Sequence, residues 1–300
     1  MLINKAREMT SHDVVAILRR KLKIKRIGHT GTLDPMVTGV LPICIGNATR
    51  VSEYIMQQGK TYEGSLKFGK STSTYDAYGE DVNFSDKISF SRQEILDALE
   101  HFTGQIEQSP PVYSAIKVAG KKLYDYARSN QEVEIPIRLV NIYSFELLDL
   151  KEDGFSFRLH CSKGTYVRSL VHDLGLYLGT YAYMTDLSRV KVGRFTIDQC
   201  IDIRDIDDLS IKDIEDKIIA IEDSLYNLAK IHLQDDVTFK LINGQKINVD
   251  KIRYSIEKNN LGQIDFNNIM VFAGEKFLGI GKISNKILKM ERVLKSDKSN

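Results

Sequence analysis

The chain has 300 residues, of which 42% are hydrophobic and 27% are charged, and its formal net charge is +2. These values exclude a disordered or fibrous protein and allow one large domain with a smaller second one. No stretch approaches the roughly 18 consecutive apolar residues that span a bilayer, and the first residues lack the apolar core of a secretion signal, so we expect a cytoplasmic location.

The cysteine and histidine residues match no common metal or disulfide pattern. Cys44, Cys161 and Cys200 are odd in number and far apart in the sequence, which favours reduced thiols over a disulfide framework or a zinc ribbon. The six histidines include no pair at the spacing of metal ligands on one helix face. We therefore expect neither a structural nor a catalytic metal ion.

The first predicted element is a helix that begins at Thr10 or Ser11, where Asp13 completes a capping box. Residues 1–50 carry nine basic side chains against three acidic ones, and most of the basic ones lie near the end of this helix. This excess is explained equally well by cations at the carbonyl end of a helix dipole and by a surface that attracts nucleic-acid phosphate. The basic residues are Lys5, Arg7, Arg19, Arg20, Lys21, Lys23, Lys25, Arg26 and Arg50.

A glycine-rich turn follows, Gly28-His29-Thr30-Gly31-Thr32-Leu33-Asp34-Pro35. Its glycines allow a ligand to approach the backbone closely, and Pro35 pushes Asp34 toward an extended or turn conformation. A carboxylate in such a turn can serve as a nucleophile or a base. Taken alone, Asp34-Pro35 is more often ordinary turn chemistry.

The middle of the chain contains a strand, a helix and a basic segment. Apolar and polar residues alternate from Tyr62 to Phe68, which predicts a strand with Tyr62 on its apolar side. Ser91 and Glu94 form a capping box for a helix with Ile95, Leu96, Leu99 and Phe102 inward and Gly104 at its end. In residues 109–134, aromatic and basic side chains alternate irregularly. This pattern is typical either of a surface that holds phosphates and stacks bases or of a plain amphipathic segment.

The second half begins with a strand over Phe155–Cys161, followed by a helix from near Thr165 to Gly175. Arg168 falls in the first turn of that helix, where the dipole disfavours a cation, so an anionic partner is expected. Residues 201–223 carry nine acidic side chains against three basic ones and should avoid nucleic acid. Beyond about residue 228, short β-like runs with turns at Asn243-Gly244 and Gly274-Glu275 predict a small β-rich second domain.

Four blocks of sequence follow one another along the chain, namely Gly28–Pro42, Lys60-Thr61-Tyr62, Pro110–Ala115 and Cys161–Arg168. In their order and spacing they resemble the bacterial tRNA pseudouridine synthase B family. The likeness runs from about Asn4 to the end of the chain and implies an α+β fold. Residues 1–228 would form a pseudouridine-synthase-like catalytic domain, with a mixed, largely antiparallel sheet and flanking helices. Residues 229–300 would form a small β-rich, PUA-like RNA-binding domain.

The resemblance implies isomerisation of the uridine at position 55, in the tRNA T loop, to pseudouridine. The base would be flipped out, cut from its ribose and rejoined through carbon 5, without a cofactor. Asp34 matches the catalytic aspartate, which attacks the ribose anomeric carbon or removes a proton from the neighbouring carbon. Arg168 matches the arginine that pairs with it, and Tyr62 matches the tyrosine beside the target base.

Three further residues match substrate-binding positions of the family. His29 matches a histidine that fills the gap left by the flipped uridine, and Tyr166 and Leu187 match the wall around uracil. We expect a monomer that binds the T stem and loop of tRNA. Ala6 and Glu8 depart from the family, which usually has a proline and a glycine at these positions of the turn.

Two other functions remain possible on the residues alone. The first is a tRNA-binding folding chaperone whose pocket performs no reaction. This role is compatible with the motifs because holding and flipping the T loop requires that loop to be partly unfolded. The second is a nucleotide-binding hydrolase, a hypothesis that only Gly28 and Gly31 support. The turn that contains them lacks the Gly-Lys-Ser/Thr pattern of a phosphate loop.

Overall fold

The computed structural model of the protein describes residues 1–114, 116–129, 131, 133–234, 237–260 and 262–294. Ala115 of the proline-rich block, and parts of the predicted segments 109–134 and 229–300, therefore lie outside the described residues. Within the described ranges, no helix has the length and apolar character needed to cross a membrane.

The strands of the described chain are β1 Leu2–Lys5, β2 Ile27–His29, β3 Thr38–Ile45, β4 Lys60–Phe68, β5 Lys70–Thr72, β6 Asp81–Phe84, β7 Gly104–Gln108, β8 Lys117–Val118, β9 Lys121–Lys122, β10 Arg138–Lys151, β11 Gly154–Cys161, β12 Ala182–Val192, β13 Phe195–Thr196, β14 Ile201–Asp202, β15 Ala229–Leu233, β16 Ile247–Asn248, β17 Tyr254–Glu257, β18 Ile269–Ala273, β19 Lys276–Ser284 and β20 Ile287–Val293. The α-helices are α1 Ser11–Leu22, α2 Ser52–Met56, α3 Arg92–His101, α4 Leu123–Arg128, α5 Val167–Tyr177, α6 Ile211–Glu215, α7 Ile221–Ser224 and α8 Thr238–Ile242.

The main sheet has the strand order β14-β1-β3-β12-β4-β11-β10-β7, with β2 paired to β3 and β13 paired to β12. Its neighbouring strands are antiparallel except for the parallel pairs β1–β14 and β3–β12. This arrangement confirms the predicted mixed, largely antiparallel sheet. The main core lies between the sheet and helices α1, α3 and α5, where the buried residues include Val14, Leu18, Leu41, Leu66, Ile95, Leu99, Phe155, Phe157, Leu170 and Leu174.

The predicted capping boxes at Thr10 and Ser91 are both present and open α1 and α3. Two details of the predicted helices are wrong. Leu96 is 39% exposed. Gly175 lies inside α5, and a Cβ there would be 2.5 Å from the backbone nitrogen of Ala182, so close packing against β12 explains this glycine. The left-handed Gly179 follows the helix instead.

A second, six-stranded sheet has the order β16-β20-β19-β18-β15-β17 and a core of its own. The predicted turn at Gly274-Glu275 joins β18 to β19, whereas Asn243-Gly244 follows the short helix α8. A third apolar cluster joins the two parts of the chain. It contains Cys44, Val51, Ile55, Leu225, Leu228, Met270, Phe272, Ile280 and Leu294.

The acidic segment 201–223 contacts the basic end of α1. Lys21 Nζ donates a hydrogen bond of 2.8 Å to the carbonyl of Asp207, and Arg20 Nη2 lies 3.7 Å from Asp207 Oδ2. Part of the basic excess in residues 1–50 is therefore balanced within the chain.

Candidate active site

A cavity of about 650 Å³ opens beside the glycine-rich turn. The turn before β3, the first part of β4, the first part of β10, the start of α5 and the middle of β12 all contribute to its wall. Five of the six predicted site residues line it: Asp34, Tyr62, Tyr166, Arg168 and Leu187. The fold thus brings together side chains that are up to 153 positions apart in the sequence.

Asp34 and Arg168 form an ion pair at this cavity, with 2.9 Å between Asp34 Oδ2 and Arg168 Nη2. The side chain of Arg168 is only 7% exposed, whereas that of Asp34 is 43% exposed. The buried guanidinium therefore fixes the direction of a carboxylate whose other side faces the cavity.

Several further acceptors hold the guanidinium of Arg168. Its Nη1 donates to the carbonyl of Thr74 at 2.9 Å, and its Nη2 donates to the carbonyl of Tyr113 at 3.1 Å. Asp76 Oδ2 lies 3.6 Å from Nη1, and its side chain is 3% exposed. The anionic partners expected from the unfavourable position of Arg168 in α5 are thus Asp34 and Asp76.

Asp76 organises the turn between β5 and β6. Its Oδ1 accepts hydrogen bonds from Thr74 Oγ1 at 2.7 Å and from the backbone N–H of Tyr78 at 3.0 Å. The backbone of this turn joins β12, because the N–H of Ala77 donates to the carbonyl of Met184 at 2.9 Å. Asp76 is therefore held in place independently of Arg168.

Tyr62 lies on the apolar side of β4, as predicted, and packs against the main core. Burial raises the pKa of its hydroxyl, and a hydrogen bond with Arg189 opposes this effect. The phenol therefore stays protonated at neutral pH and can stack, donate or accept at the cavity wall.

Tyr166 and Leu187 shape the cavity wall. The backbone of Tyr166 is held at both polar groups by Gln108: its N–H donates to Gln108 Oε1 at 2.7 Å, and its carbonyl accepts from Gln108 Nε2 at 3.0 Å. Leu187 is 5% exposed and presents an apolar surface. A flat ring and an aliphatic side chain on rigid backbone suit recognition of a planar ligand by shape.

His29 is the predicted site residue that does not line the cavity. It lies in β2, where its ring meets that of His12 edge to face with 5.5 Å between the ring centroids. Burial lowers the pKa of His29, so the ring is neutral at physiological pH.

The chain matches two family models and many curated proteins. A model described as "TruB family pseudouridylate synthase (N terminal domain)" matches residues 19–167, and one described as "tRNA pseudouridylate synthase B C-terminal domain" matches residues 168–228. A tRNA pseudouridine synthase B from Geobacillus thermodenitrificans is 47% identical over 253 residues, which cover 81% of this chain and 83% of that protein. The chain belongs to the TruB family.

A second curated member of the TruB family, tRNA pseudouridine synthase B of Staphylococcus aureus strain JH9, is 44% identical over 280 residues, covering 90% of this chain and 92% of that protein. A solved structure titled as a Cbf5-Nop10-Gar1 complex aligns with a TM-score of 0.72 and 26% identity, covering 94% of this chain and 77% of that chain. Another, titled as an H/ACA RNP bound to a substrate RNA, aligns at 0.72 and 23% identity over 99% of this chain and 84% of that chain, and shows the fold alone.

These comparisons confirm the predicted fold class for this TruB-family chain. The main sheet with its flanking helices is a pseudouridine synthase fold, and the small β-rich C-terminal part is consistent with a PUA-like domain. The matched family models end at residue 228, and the second sheet begins at Ala229.

Arg189 is a site residue that sequence reasoning missed. It is 1% exposed, lines the cavity, and donates from Nε to the carbonyl of Val40 at 2.8 Å and from Nη2 to that of Gly31 at 3.1 Å. A Cβ on Gly39 would lie 2.3 Å from the carbonyl oxygen of Arg189, and Gly39 has a φ of +105°. The pairing of β12 with β3 therefore requires a glycine at residue 39 of this TruB-family protein.

Two buried lysines also support the site. Lys5 is fully buried, and its Nζ donates to the carbonyls of Ala6 and Met9 at 2.8 Å and of Pro35 at 3.0 Å. Burial lowers its pKa to about 8, although nearby Asp34 opposes this effect. Lys60, at the cavity wall, has its pKa lowered to about 8, first by burial and then by Arg189.

The two departures from the family fall in the loop held by Lys5. Glu8 has a φ of +64°, a left-handed conformation that glycine adopts without strain. Its N–H donates to the carbonyl of Pro35 at 3.0 Å, and the neighbouring Arg7 pairs with Asp186 of β12. This chain of the TruB family therefore keeps the loop in place with side-chain contacts despite lacking the proline and the glycine.

Proposed function

We propose that this TruB-family protein converts the uridine at position 55, in the T loop of tRNA, to pseudouridine, with Asp34 as its catalytic carboxylate. The observation that carries the proposal is the 2.9 Å contact of Asp34 with Arg168 at a cavity that Tyr62, Tyr166 and Leu187 also line. A partly exposed carboxylate, a buried cation that orients it and a shaped wall are what a flipped pyrimidine nucleoside needs.

The reaction breaks the bond between N1 of uracil and C1′ of the ribose and forms a bond between C5 and C1′. It leaves a proton to be removed from C5 and one to be added to N1, and it involves no net oxidation. Asp34 either attacks C1′ or removes a proton from C2′, and both routes return the carboxylate unchanged. Arg168 orients Asp34 in either route.

The remaining residues hold the base while it turns. We assign to Tyr62 stacking on uracil and relay of the C5 proton, which its protonated hydroxyl near Arg189 supports. Tyr166 and Leu187 confine the ring. His29, which carries a neutral flat ring and precedes the cavity-lining Gly31 by two residues, is assigned to the gap that the uridine leaves in the loop.

The rim of the cavity suits an RNA backbone. Arg138 and Lys163 are exposed there, and the ammonium group of Lys163 contacts Gln57, which also lines the cavity. Such cations attract phosphate without reading sequence. We further propose a catalytic domain over residues 1–228 and a PUA-like RNA-binding domain over residues 229–300, in a cytoplasmic monomer.

The test is to incubate the purified chain with an unmodified tRNA transcript, without added metal or nucleotide, and to map pseudouridine by position. Wild type should modify position 55, and Asp34→Asn should make no product while binding tRNA about as tightly as wild type. If Asp34→Asn forms product at the wild-type rate, the catalytic assignment is wrong. Product at a different position would refute the T-loop assignment alone.

A further inference from the structure

The turn that holds Arg168 contains a strained residue. Tyr75 has a φ of +64°, in the left-handed region that residues with a Cβ rarely adopt. It lies between Thr74 and Asp76, and both of these neighbours contact Arg168. The strained backbone therefore sets the direction in which the two acceptors face.

The side chain of Tyr75 makes a contact that favours this conformation. Its ring stacks on that of His172, with 4.0 Å between the ring centroids and 12° between the ring planes. His172 follows Arg168 by four residues in α5, so the two side chains lie on the same face of that helix. The turn thus meets α5 at two positions about one helical turn apart, through acceptors at Arg168 and through a ring at His172.

We propose that Tyr75 is a positioning residue for the isomerisation: its stack on His172 holds the left-handed turn so that Thr74 and Asp76 direct Arg168 at Asp34. The backbone and the ring of Tyr75 attach the turn to different elements. Its N–H donates to the carbonyl of Thr72 at 3.1 Å, and its carbonyl accepts from the N–H of Met184 at 3.0 Å. These bonds fix the turn to β5 and β12, and the ring fixes it to α5.

This inference rests on the proposed function, and its test separates the ring from the backbone. Tyr75→Phe keeps the ring. Tyr75→Gly and Tyr75→Asn remove the ring but place at residue 75 an amino acid that tolerates a positive φ. The chain offers a matched control in Tyr177 at the end of α5, which is 50% exposed. Tyr177 stacks on His101 with 4.2 Å between centroids and 16° between planes, and neither of these residues lines the cavity.

The measurements are the single-turnover rate constant at saturating enzyme, the Kd for tRNA and the melting temperature. We expect Tyr75→Gly and Tyr75→Asn to lower the rate constant by roughly 10-fold to 100-fold, the effect of misplacing a catalytic group by about an ångström. Their Kd should stay within about twofold of wild type, because Tyr75 is not assigned a contact with RNA. Tyr75→Phe and Tyr177→Ala should keep the wild-type rate constant.

Retention of the wild-type rate constant by Tyr75→Gly would overturn the inference, as would a Tyr75→Phe variant as slow as Tyr75→Gly. A parallel rise in Kd would assign the ring to RNA binding instead and would also overturn it. These results leave the proposed function intact, provided that wild type forms pseudouridine. A wild-type chain that forms none would refute the proposed function and, with it, the role of Tyr75.

Discussion

Replacing Arg168 with methionine should affect stability and catalysis through two different carboxylates. Asp76 is 3% exposed and would remain buried without its cationic neighbour, whereas Asp34 is 43% exposed and would be solvated. Removing one partner of a buried ion pair costs about 3–5 kcal/mol. Asp76 keeps its hydrogen bonds from Thr74 and Tyr78, so we expect the lower end, about 3 kcal/mol.

The comparison variant is Asp34→Asn, which should change the free energy of unfolding by less than about 1 kcal/mol because Asp34 is partly exposed. Urea unfolding monitored by circular dichroism measures both differences. The double variant Arg168→Met/Asp76→Asn should recover part of the stability, since it removes the unpaired buried charge, but it should form no pseudouridine. If Asp34→Asn were as destabilising as Arg168→Met, the claim that Arg168 stabilises the fold through Asp76 rather than Asp34 would be refuted.

Three further predictions concern a strained residue, a buried acid and the RNA surface. Glu8→Gly should raise the free energy of unfolding by about 1 kcal/mol, because glycine relieves the left-handed backbone; unchanged urea unfolding would contradict this. Burial raises the pKa of Asp173 to about 6. The folded state then binds this proton more tightly than the unfolded state, so its contribution to stability falls as pH rises from about 4 through 6. Asp173→Asn should accordingly gain up to about 2 kcal/mol at pH 8 and little at pH 4, and an equal gain at both would argue against this. Binding of tRNA should weaken steeply as salt rises, and a salt-independent Kd would remove phosphate contacts from the proposal.

Local features of the fold could be predicted because their causes are local. A capping box needs only residues three apart, so α1 and α3 were placed correctly at Thr10 and Ser91. Alternation placed Tyr62 on the apolar side of β4, and the helix dipole indicated that Arg168 needs an anionic partner. The motif resemblance then selected five residues that the fold brings to one cavity.

Other features depend on contacts that no local pattern encodes. Asp76 is 92 residues from Arg168, and its only sequence signal is an acid among Ser and Thr residues in a turn. Arg189 reaches carbonyls 149 and 158 residues away. Gly175 was interpreted as a helix end because glycine is common there, but its actual cause is the close approach of β12.

The apolar cluster that joins the two sheets has a geometric consequence for RNA. Ile55 of that cluster belongs to α2, and the next residue of α2, Met56, lines the cavity beside Asp34. Met270 and Phe272 of the same cluster belong to the C-terminal sheet. The packing of this cluster therefore fixes the distance between the cavity and the C-terminal sheet. A folded RNA that touches both can place in the cavity only a nucleotide at the matching distance from its second contact, so selection of the nucleotide can come from span as well as from base identity.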